Sequence, residues 1–195
     1  MHNLYIISGC NGAGKTTASF TVLPEMLKCD EFVNADEIAK GLSPLNPEKS
    51  AIEAGRIMLS KIDSLLENKK DFAVETTLAS RSYVGTIRKA RKFGYQTTLV
   101  FFWLDSTDLA VERVKNRVKE GGHNVAERVI LRRYFSGARN LFNLYIPLCD
   151  YWMIFDKSKL APELVAEGYL NYDYEIKKDV IFTQIKNIAN YGEKE

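Results

Sequence analysis

The chain has 195 residues, 46% of them hydrophobic and 27% charged, which is enough apolar material for a core without disulfides. Its formal net charge of +2 argues neither for nor against nucleic acid as a ligand. The three cysteines have no CxxC or His-paired spacing, so the composition excludes a disulfide framework and a zinc site. The longest apolar run, Leu99 to Leu104, is too short to span a bilayer, and Met1 leads straight into an apolar segment without a signal peptide. We expect a cytoplasmic protein with one domain over residues 1–195.

Apolar segments alternate with helical patterns along the chain, which is typical of a parallel sheet covered by helices on both faces. The predicted strands are Leu4–Ser8, Glu31–Asn34, Phe72–Glu75, Thr97–Leu104 and Tyr151–Phe155. The predicted helices are Lys15–Lys28, Pro47–Asn68, Arg81–Phe93, Asp108–Glu120, Ala126–Tyr145 and Tyr174–Ala189. The tail from Leu160 to Glu195 carries four tyrosines and either packs as this final helix or contacts a partner. The sequence therefore predicts a three-layer α/β/α domain.

A glycine-rich loop follows the first predicted strand and precedes the first predicted helix. Its spacing, Gly, four residues, Gly-Lys-Thr, is that of the phosphate-binding loop of nucleoside triphosphatases, and the strand-loop-helix context is the required one. Glycines let backbone N–H groups approach phosphate oxygens, and the following helix N-terminus attracts anions. Lys15 can reach the β- and γ-phosphates, and the Thr16 hydroxyl can hold Mg²⁺. The predicted ATP-binding residues here are Gly9, Asn11, Gly12, Ala13, Gly14, Lys15, Thr16 and Thr17.

Two carboxylates follow predicted strands at the edge of the sheet where ligands of open α/β folds bind. Asp36 comes after the second strand and is our candidate for the base that takes a proton from a phosphoryl acceptor; its structural alternative is a helix cap. Glu75 ends the third strand, beside the phosphate loop. There it could hold the water shell of Mg²⁺ or accept a hydrogen bond from a substrate hydroxyl, and the sequence does not separate the two roles.

A basic segment runs from Arg113 to Arg133, interrupted by Gly121-Gly122-His123. Two cationic helices joined by a glycine hinge predict a lid over about residues 106–135 that closes on the phosphates and excludes water. The alternative is a solvated helix face. We predict Arg117 and Arg132 as the catalytic cations, with Arg128 and Arg133 as the next candidates and Arg128 as a further nucleotide contact. His123 is predicted as a turn or hinge residue.

Taken together, these motifs resemble the zeta-toxin-like P-loop kinases. The resemblance covers about residues 4–158 and includes Asn34-Ala35-Asp36-Glu37-Ile38-Ala39, Glu75-Thr76-Thr77-Leu78 and Gly121-Gly122-His123-Asn124-Val125. It implies an adenylate-kinase-like parallel sheet of five strands in the order 2-3-1-4-5. It also implies ATP- and Mg²⁺-dependent phosphorylation of a hydroxyl, which in toxin members belongs to UDP-N-acetylglucosamine. For some members it implies an antitoxin partner.

Carried over residue by residue, the resemblance implies nucleotide and metal roles for Lys15 and Thr16 and the catalytic base for Asp36. It places Glu75 and Thr77 at sugar-nucleotide contacts, and we add Arg81 to this predicted substrate site. The known toxins continue after the glutamate with Gly and an early Arg, whereas this chain reads Thr76-Thr77-Leu78-Ala79-Ser80-Arg81. This departure leaves the acceptor open.

Two other functions stay open on the sequence. One is a kinase of another small molecule or of a nucleic-acid end, although the chain lacks the long basic path with interleaved aromatic residues that would favour nucleic acid. The other is a regulatory protein that binds ATP without transferring phosphate. Such a protein would need Lys15 but no base at Asp36.

Overall fold

The computed structural model describes residues 1–25, 28–122 and 124–190, leaving aside the side chains of residues 21–25. His123, predicted as a hinge, and Tyr191, at the end of the tail, lie outside the described residues. The strands are β1 His2–Gly9, β2 Phe32–Val33, β3 Phe72–Thr76, β4 Tyr95–Trp103, β5 Tyr151–Asp156, β6 Glu163–Tyr169 and β7 Tyr174–Ile176. The helices are α1 Lys15–Glu25, α2 Ala35–Leu42, α3 Ala51–Glu67, α4 Ser82–Lys92, α5 Thr107–Lys119, α6 Glu127–Asn140 and α7 Asp179–Asn190. A 3₁₀ turn, Pro47–Ser50, precedes α3, and a π-helical turn, Leu141–Tyr145, follows α6.

One sheet joins the strands in the order β2-β3-β1-β4-β5-β6-β7. The first five are parallel and follow the predicted order 2-3-1-4-5, so the α/β fold is confirmed. The prediction of a purely parallel, five-stranded sheet is wrong, because β6 and β7 add an antiparallel edge. The connection from β5 to β6 covers only residues 157–162, which is too short for the crossover that a parallel pair requires.

The C-terminal tail therefore differs from the prediction of a single helix. Residues 174–176 pair with β6, and the last helix begins only at Asp179. The predicted helix over residues 47–68 divides into the 3₁₀ turn and α3, and the one over residues 126–145 divides into α6 and the π-helical turn. The short helix α2 was not among the predicted helices, and its N-cap is Asn34 rather than Asp36.

The centre of the sheet is buried on both faces. In β1, Leu4 and Ile6 are fully buried, and Ile6 lies in register with Val74 of β3 and Leu99 of β4, which are fully buried too. Strands covered by helices on both faces have no solvent side, so they read as continuous apolar runs rather than alternating ones. This rigid centre fixes the positions of the loops at its carboxyl edge. Within the described residues no helix is both long enough and apolar enough to cross a membrane.

The loop after β3 is fixed to α6 and to the π-helical turn after it by three contacts. The Asn140 side-chain amide donates to the Leu78 carbonyl at 2.6 Å, and the Tyr145 hydroxyl donates to the Ser80 carbonyl at 2.7 Å. One turn before Asn140, Gly137 of α6 lies so close to the loop that a Cβ there would be 2.7 Å from the Thr77 carbonyl oxygen. A glycine in mid-helix costs about 0.5–1 kcal/mol relative to alanine, and here it permits the close approach.

We expect Gly137→Ala to lower the free energy of unfolding, because the added Cβ would collide with the Thr77 carbonyl oxygen and separate the loop from α6. Gly85→Ala in α4 is the matched control, since a Cβ there meets nothing within 4 Å. The control should gain about 0.5–1 kcal/mol from helix propensity. Urea unfolding of both variants measures the difference. Equal stabilisation by the two alanines would contradict the close approach.

Candidate active site

The loop between β1 and α1 has the backbone conformation of a phosphate cradle. Gly9 has φ +142°, and a Cβ there would collide with the Phe102 carbonyl oxygen. Gly12 has φ +83°, and a Cβ there would lie 2.7 Å from the Ala110 carbonyl oxygen. Only glycine adopts these conformations at no steric cost. The absence of a Cβ also lets the backbones of β4 and α5 pack directly against the loop.

Lys15 opens α1 and is 7% exposed. Its ammonium group donates to the Cys10 carbonyl at 3.0 Å and lies 3.7 Å from Oε1 of Glu75. A buried ammonium requires such partners, because an isolated charge loses its hydration. The side chain is thus held within the loop, where a phosphate would be bound.

Glu75 joins three elements of the site. Its Oε2 accepts from the Thr16 hydroxyl at 2.8 Å and from the Asn34 side-chain amide at 2.8 Å. Its side chain is 11% exposed. The sheet register explains the position of Glu75. Ser8 of β1 lies beside Thr76 of β3, so the end of β3 reaches the phosphate loop.

Asn34 is the N-cap of α2. Its Oδ1 accepts from the backbone N–H of Asp36 at 2.8 Å and of Glu37 at 3.4 Å. The residue has extended backbone angles (φ −131°, ψ 118°), as caps usually do. Asp36 lies in the first turn of the capped helix, and its side chain is exposed.

A cleft of about 410 Å³ lies between the phosphate loop, α2, the start of α3 and the two basic helices. Its lining residues are Thr16, Ala35, Asp36, Glu37, Ala39, Lys40, Pro47, Glu48, Ala51, Arg117, Gly122, Val125 and Arg133. The predicted metal residue Thr16, the predicted base Asp36 and the predicted catalytic cation Arg117 therefore share one cavity.

Two arginines of the basic segment, Arg133 and Arg113, contact different loops. Arg133 is half-buried and donates to Oδ1 of Asn11 in the phosphate loop at 3.2 Å. Burial lowers the pKa of its guanidinium, Asp36 acts in the opposite direction, and Arg132 lowers the pKa further. Arg113 donates to the carbonyls of Lys157 at 2.8 Å and Ser158 at 2.7 Å, so it fixes the loop after β5.

The sequence prediction preferred Arg132 and named Arg133 only as a further candidate, whereas in the structure Arg133 contacts the phosphate loop. Arg132 is exposed on α6 and is not among the lining residues of the cleft, and the same holds for Arg128. The helical period of α6 could have favoured Arg133 over Arg132. The buried positions Ile130 and Gly137 are three residues before and four residues after Arg133, which places Arg133 beside the buried face of α6.

The remaining predicted substrate residues lie beyond the cleft lining. Thr77 is partly buried, with its carbonyl against Gly137 of α6, and Arg81 is exposed at the N-cap of α4. Thr17 is exposed on α1. Their roles stay predictions.

The sequence matches the family model described as Zeta toxin over residues 2–145. The chain belongs to the zeta toxin family. It is also 31% identical over 127 residues to an uncharacterized protein of Haemophilus influenzae, a match that covers 65% of this chain and 88% of the relative.

Several solved structures share the fold. One is the AvrRxo1-ORF1:AvrRxo1-ORF2 complex with sulphate ions (TM-score 0.74, 15% identity, 95% of this chain). This chain spans only 63% of that protein's length. Another comes from the PezAT chromosomal toxin-antitoxin system of Streptococcus pneumoniae (TM-score 0.65, 13% identity, 100% of this chain and 88% of the other). A gluconokinase from Sinorhizobium meliloti, with a TM-score of 0.50 and 14% identity over 81% of this chain and 83% of its own, extends the likeness to P-loop kinases.

The side-chain oxygen atoms at the site of this zeta toxin family member suit a Mg²⁺ ion that takes only one or two ligands from the protein. Among the described residues no three His, Cys, Asp or Glu side chains cluster as a metal cage. Mg²⁺ with a nucleotide does not need one, because phosphates and waters fill most of its octahedron and one or two protein oxygens complete it. The Thr16 hydroxyl and the Glu75 carboxylate, which touch each other, supply such oxygens.

Cys10 lies inside the phosphate loop and is 5% exposed. Burial raises the pKa of its thiol to about 11, although Lys15 and Arg113 act in the opposite direction. Burial likewise raises the pKa of Cys29 to about 11 and that of Cys149 to about 12. All three cysteines are free, as the sequence predicted.

We expect the thiols of the native protein to resist alkylation by iodoacetamide at pH 8. A thiol with a pKa of about 11 is roughly 0.1% thiolate at that pH, on the order of a hundredfold less than a free cysteine. Intact-mass spectrometry follows the labelling, and the same protein in denaturant, where all three thiols should react, is the control. Rapid labelling of Cys10 in the folded protein would contradict this environment.

Proposed function

We propose that the protein is a kinase that transfers the γ-phosphate of ATP to a hydroxyl of a small molecule, with Mg²⁺ as cofactor. The observation that carries the proposal is the shared cleft of Thr16, Asp36, Arg117 and Arg133. A nucleotide site, a free carboxylate and two cations in one cavity are the parts that phosphoryl transfer requires.

Binding of the triphosphate rests on the loop and on Lys15. Backbone N–H groups of the glycine-rich loop bind phosphate oxygens, and the N-terminus of α1 adds the favourable end of its dipole. Lys15 is already oriented by the Cys10 carbonyl and Glu75. We propose that Thr16 and Glu75 hold Mg²⁺, which when bound neutralises charge between the β- and γ-phosphates. The contacts of Glu75 favour this metal role over the sugar contact, because both its oxygens face the phosphate loop and Asn34.

Asp36 supplies the base. Its carboxylate is exposed in the cleft and can accept the proton of an acceptor hydroxyl as the oxygen attacks the γ-phosphorus. Arg117 and Arg133 approach from α5 and α6 and stabilise the negative charge of the transferring phosphoryl group. Arg133 is anchored at the phosphate loop by its hydrogen bond to Asn11.

A sugar nucleotide such as UDP-N-acetylglucosamine is the acceptor that we favour, on the basis of the family. Thr77 and Arg81 lie on the loop from β3 to α4 and stay candidates for contacts with the distant part of such a molecule. Some similar structures are complexes or systems of two proteins, one of them named as a toxin-antitoxin system. We propose an antitoxin partner for this chain on the same basis.

Incubation with ATP, Mg²⁺ and a panel of sugar nucleotides, sugars and oligonucleotides should give one acceptor whose mass increases by one phosphoryl group. Asp36→Asn should lower kcat about 10²–10⁴-fold, the usual contribution of a general base, while ATP still binds. Glu53→Gln on the exposed face of α3 removes one charge outside the cleft and should leave kcat unchanged. ATP binding without transfer to any compound would favour the regulatory function instead, and phosphorylation of an oligonucleotide would favour a nucleic-acid-end kinase.

Arg133→Met should lower kcat about 10²–10³-fold, because it removes a cation that contacts the phosphate loop. Arg132→Met removes the neighbouring exposed cation, which is not among the residues of the cleft, and should lower kcat less than about tenfold. Single-turnover kinetics with saturating ATP compare the two. A larger loss from Arg132→Met than from Arg133→Met would return the role to Arg132.

A further inference from the structure

Under the proposed function the cleft has a nucleotide half, with the phosphate loop and Thr16, and an acceptor half, with Asp36 of α2. One buried side-chain amide, that of Asn34, contacts a residue associated with each half. Asn34 is 6% exposed. Its Nδ2 donates to Oε2 of Glu75 at 2.8 Å, and its Oδ1 accepts from the backbone N–H of Asp36 at 2.8 Å. Glu75 belongs to the nucleotide half, since the same oxygen accepts from Thr16. Asp36 belongs to the acceptor half.

We propose that Asn34 is a positioning residue that couples the nucleotide half of the cleft to the base. The inference rests on the proposed function and adds to it a fixed connection between Glu75 and the first turn of α2. Asn34 touches neither ATP nor the acceptor in this scheme, and it acts through the two residues that it binds.

The chemistry of the side chain explains why an amide is needed. Asp and Ser cap helices about as well as Asn, so capping alone does not require this residue. Only the amide offers an acceptor for the helix N–H groups and, 2.3 Å or so away on the same planar group, a donor for a carboxylate. Aspartate would place a second negative charge against Glu75, and serine would be too short to reach it.

The surroundings make the connection stiff. Both ends of the hydrogen bond between Asn34 and Glu75 are tied to the sheet, since Glu75 is part of β3 and Asn34 directly follows β2. These two strands pair in register at Val33 and Val74. A small displacement of a reacting group can lower the rate about 10²-fold. A fixed distance between the phosphates and Asp36 therefore directly affects kcat.

Asn34→Ser is the variant that isolates the connection, because its hydroxyl keeps a cap for α2 and loses the bond to Glu75. We expect kcat to fall about 10–100-fold while the Kd for ATP and Mg²⁺, measured by calorimetry, changes less than about threefold. The melting temperature should change by less than about 4 °C. Asn46→Ser is the matched control, since Asn46 is an exposed N-cap of the nearby 3₁₀ turn and its side chain makes no capping bond. It should leave kcat unchanged.

Asn34→Asp is the complementary variant. It keeps the cap and sets two carboxylates against each other, so it should weaken ATP and Mg²⁺ binding at least tenfold in addition to lowering kcat. An Asn34→Ser protein with kcat within twofold of the wild type would show that Asn34 is only a cap and overturn the inference. Parallel losses of melting temperature, ATP binding and kcat in that variant would show a structural role and overturn it as well.

A readout without catalysis separates this inference from the proposed function. Hydrogen exchange of the Asp36 and Glu37 amides should slow when ATP and Mg²⁺ bind to the wild type, because ordering of Glu75 tightens the cap, and should not respond in Asn34→Ser. This holds even if no acceptor is ever phosphorylated, which would sink the function but not the coupling. An unresponsive wild type, or equal responses in both proteins, would overturn the coupling.

Discussion

The structure of the site depends on one carboxylate that is mostly, but not fully, buried. Glu75 lies at the end of β3 with 11% of its side chain exposed, and it binds Thr16 and Asn34 and lies near Lys15. A buried carboxylate is tolerated only when donors and a cation compensate for its lost hydration. The same requirement draws together the start of α1, the start of α2 and the end of β3. Removal of this charge would leave Lys15 with only the Cys10 carbonyl among the contacts described for its ammonium group.

The strand order explains how such an arrangement arises. Because β3 lies between β1 and β2, its last residues separate the phosphate loop from the first turn of α2. Parallel strands place all three carboxyl ends at one edge, where ligands of open α/β sheets bind. The other wall of the cleft comes from α5 and α6. The loop after β3 is held to α6 at Gly137 and Asn140, so the helix that carries Arg133 packs against the loop that directly follows the strand of Glu75.

Much of this could be predicted from the sequence, and the limits have physical causes. The phosphate loop, the parallel core and the functional interest of Asp36 and Glu75 follow from residue types with a narrow chemical use and from their places after apolar strands. The antiparallel edge was missed because β7 has only three residues and its pairing is set by β6, which no local pattern records. The choice between Arg132 and Arg133 was a matter of helix phase, which depends on where α6 begins. The hydrogen bond from the Asn34 side chain to Glu75 joins residues 41 positions apart, so only a structure reveals it.

A crystal structure with a non-hydrolysable ATP analogue and Mg²⁺ tests the central claim most directly, namely that the γ-phosphate and Asp36 face each other across one cleft. We expect the metal at the Thr16 hydroxyl, the γ-phosphate in the cavity lined by Arg117 and Arg133, and space for an acceptor oxygen within about 3.5 Å of both the phosphorus and the Asp36 carboxylate. A γ-phosphate directed away from this cavity, or an Asp36 side chain turned out of it, would contradict the account.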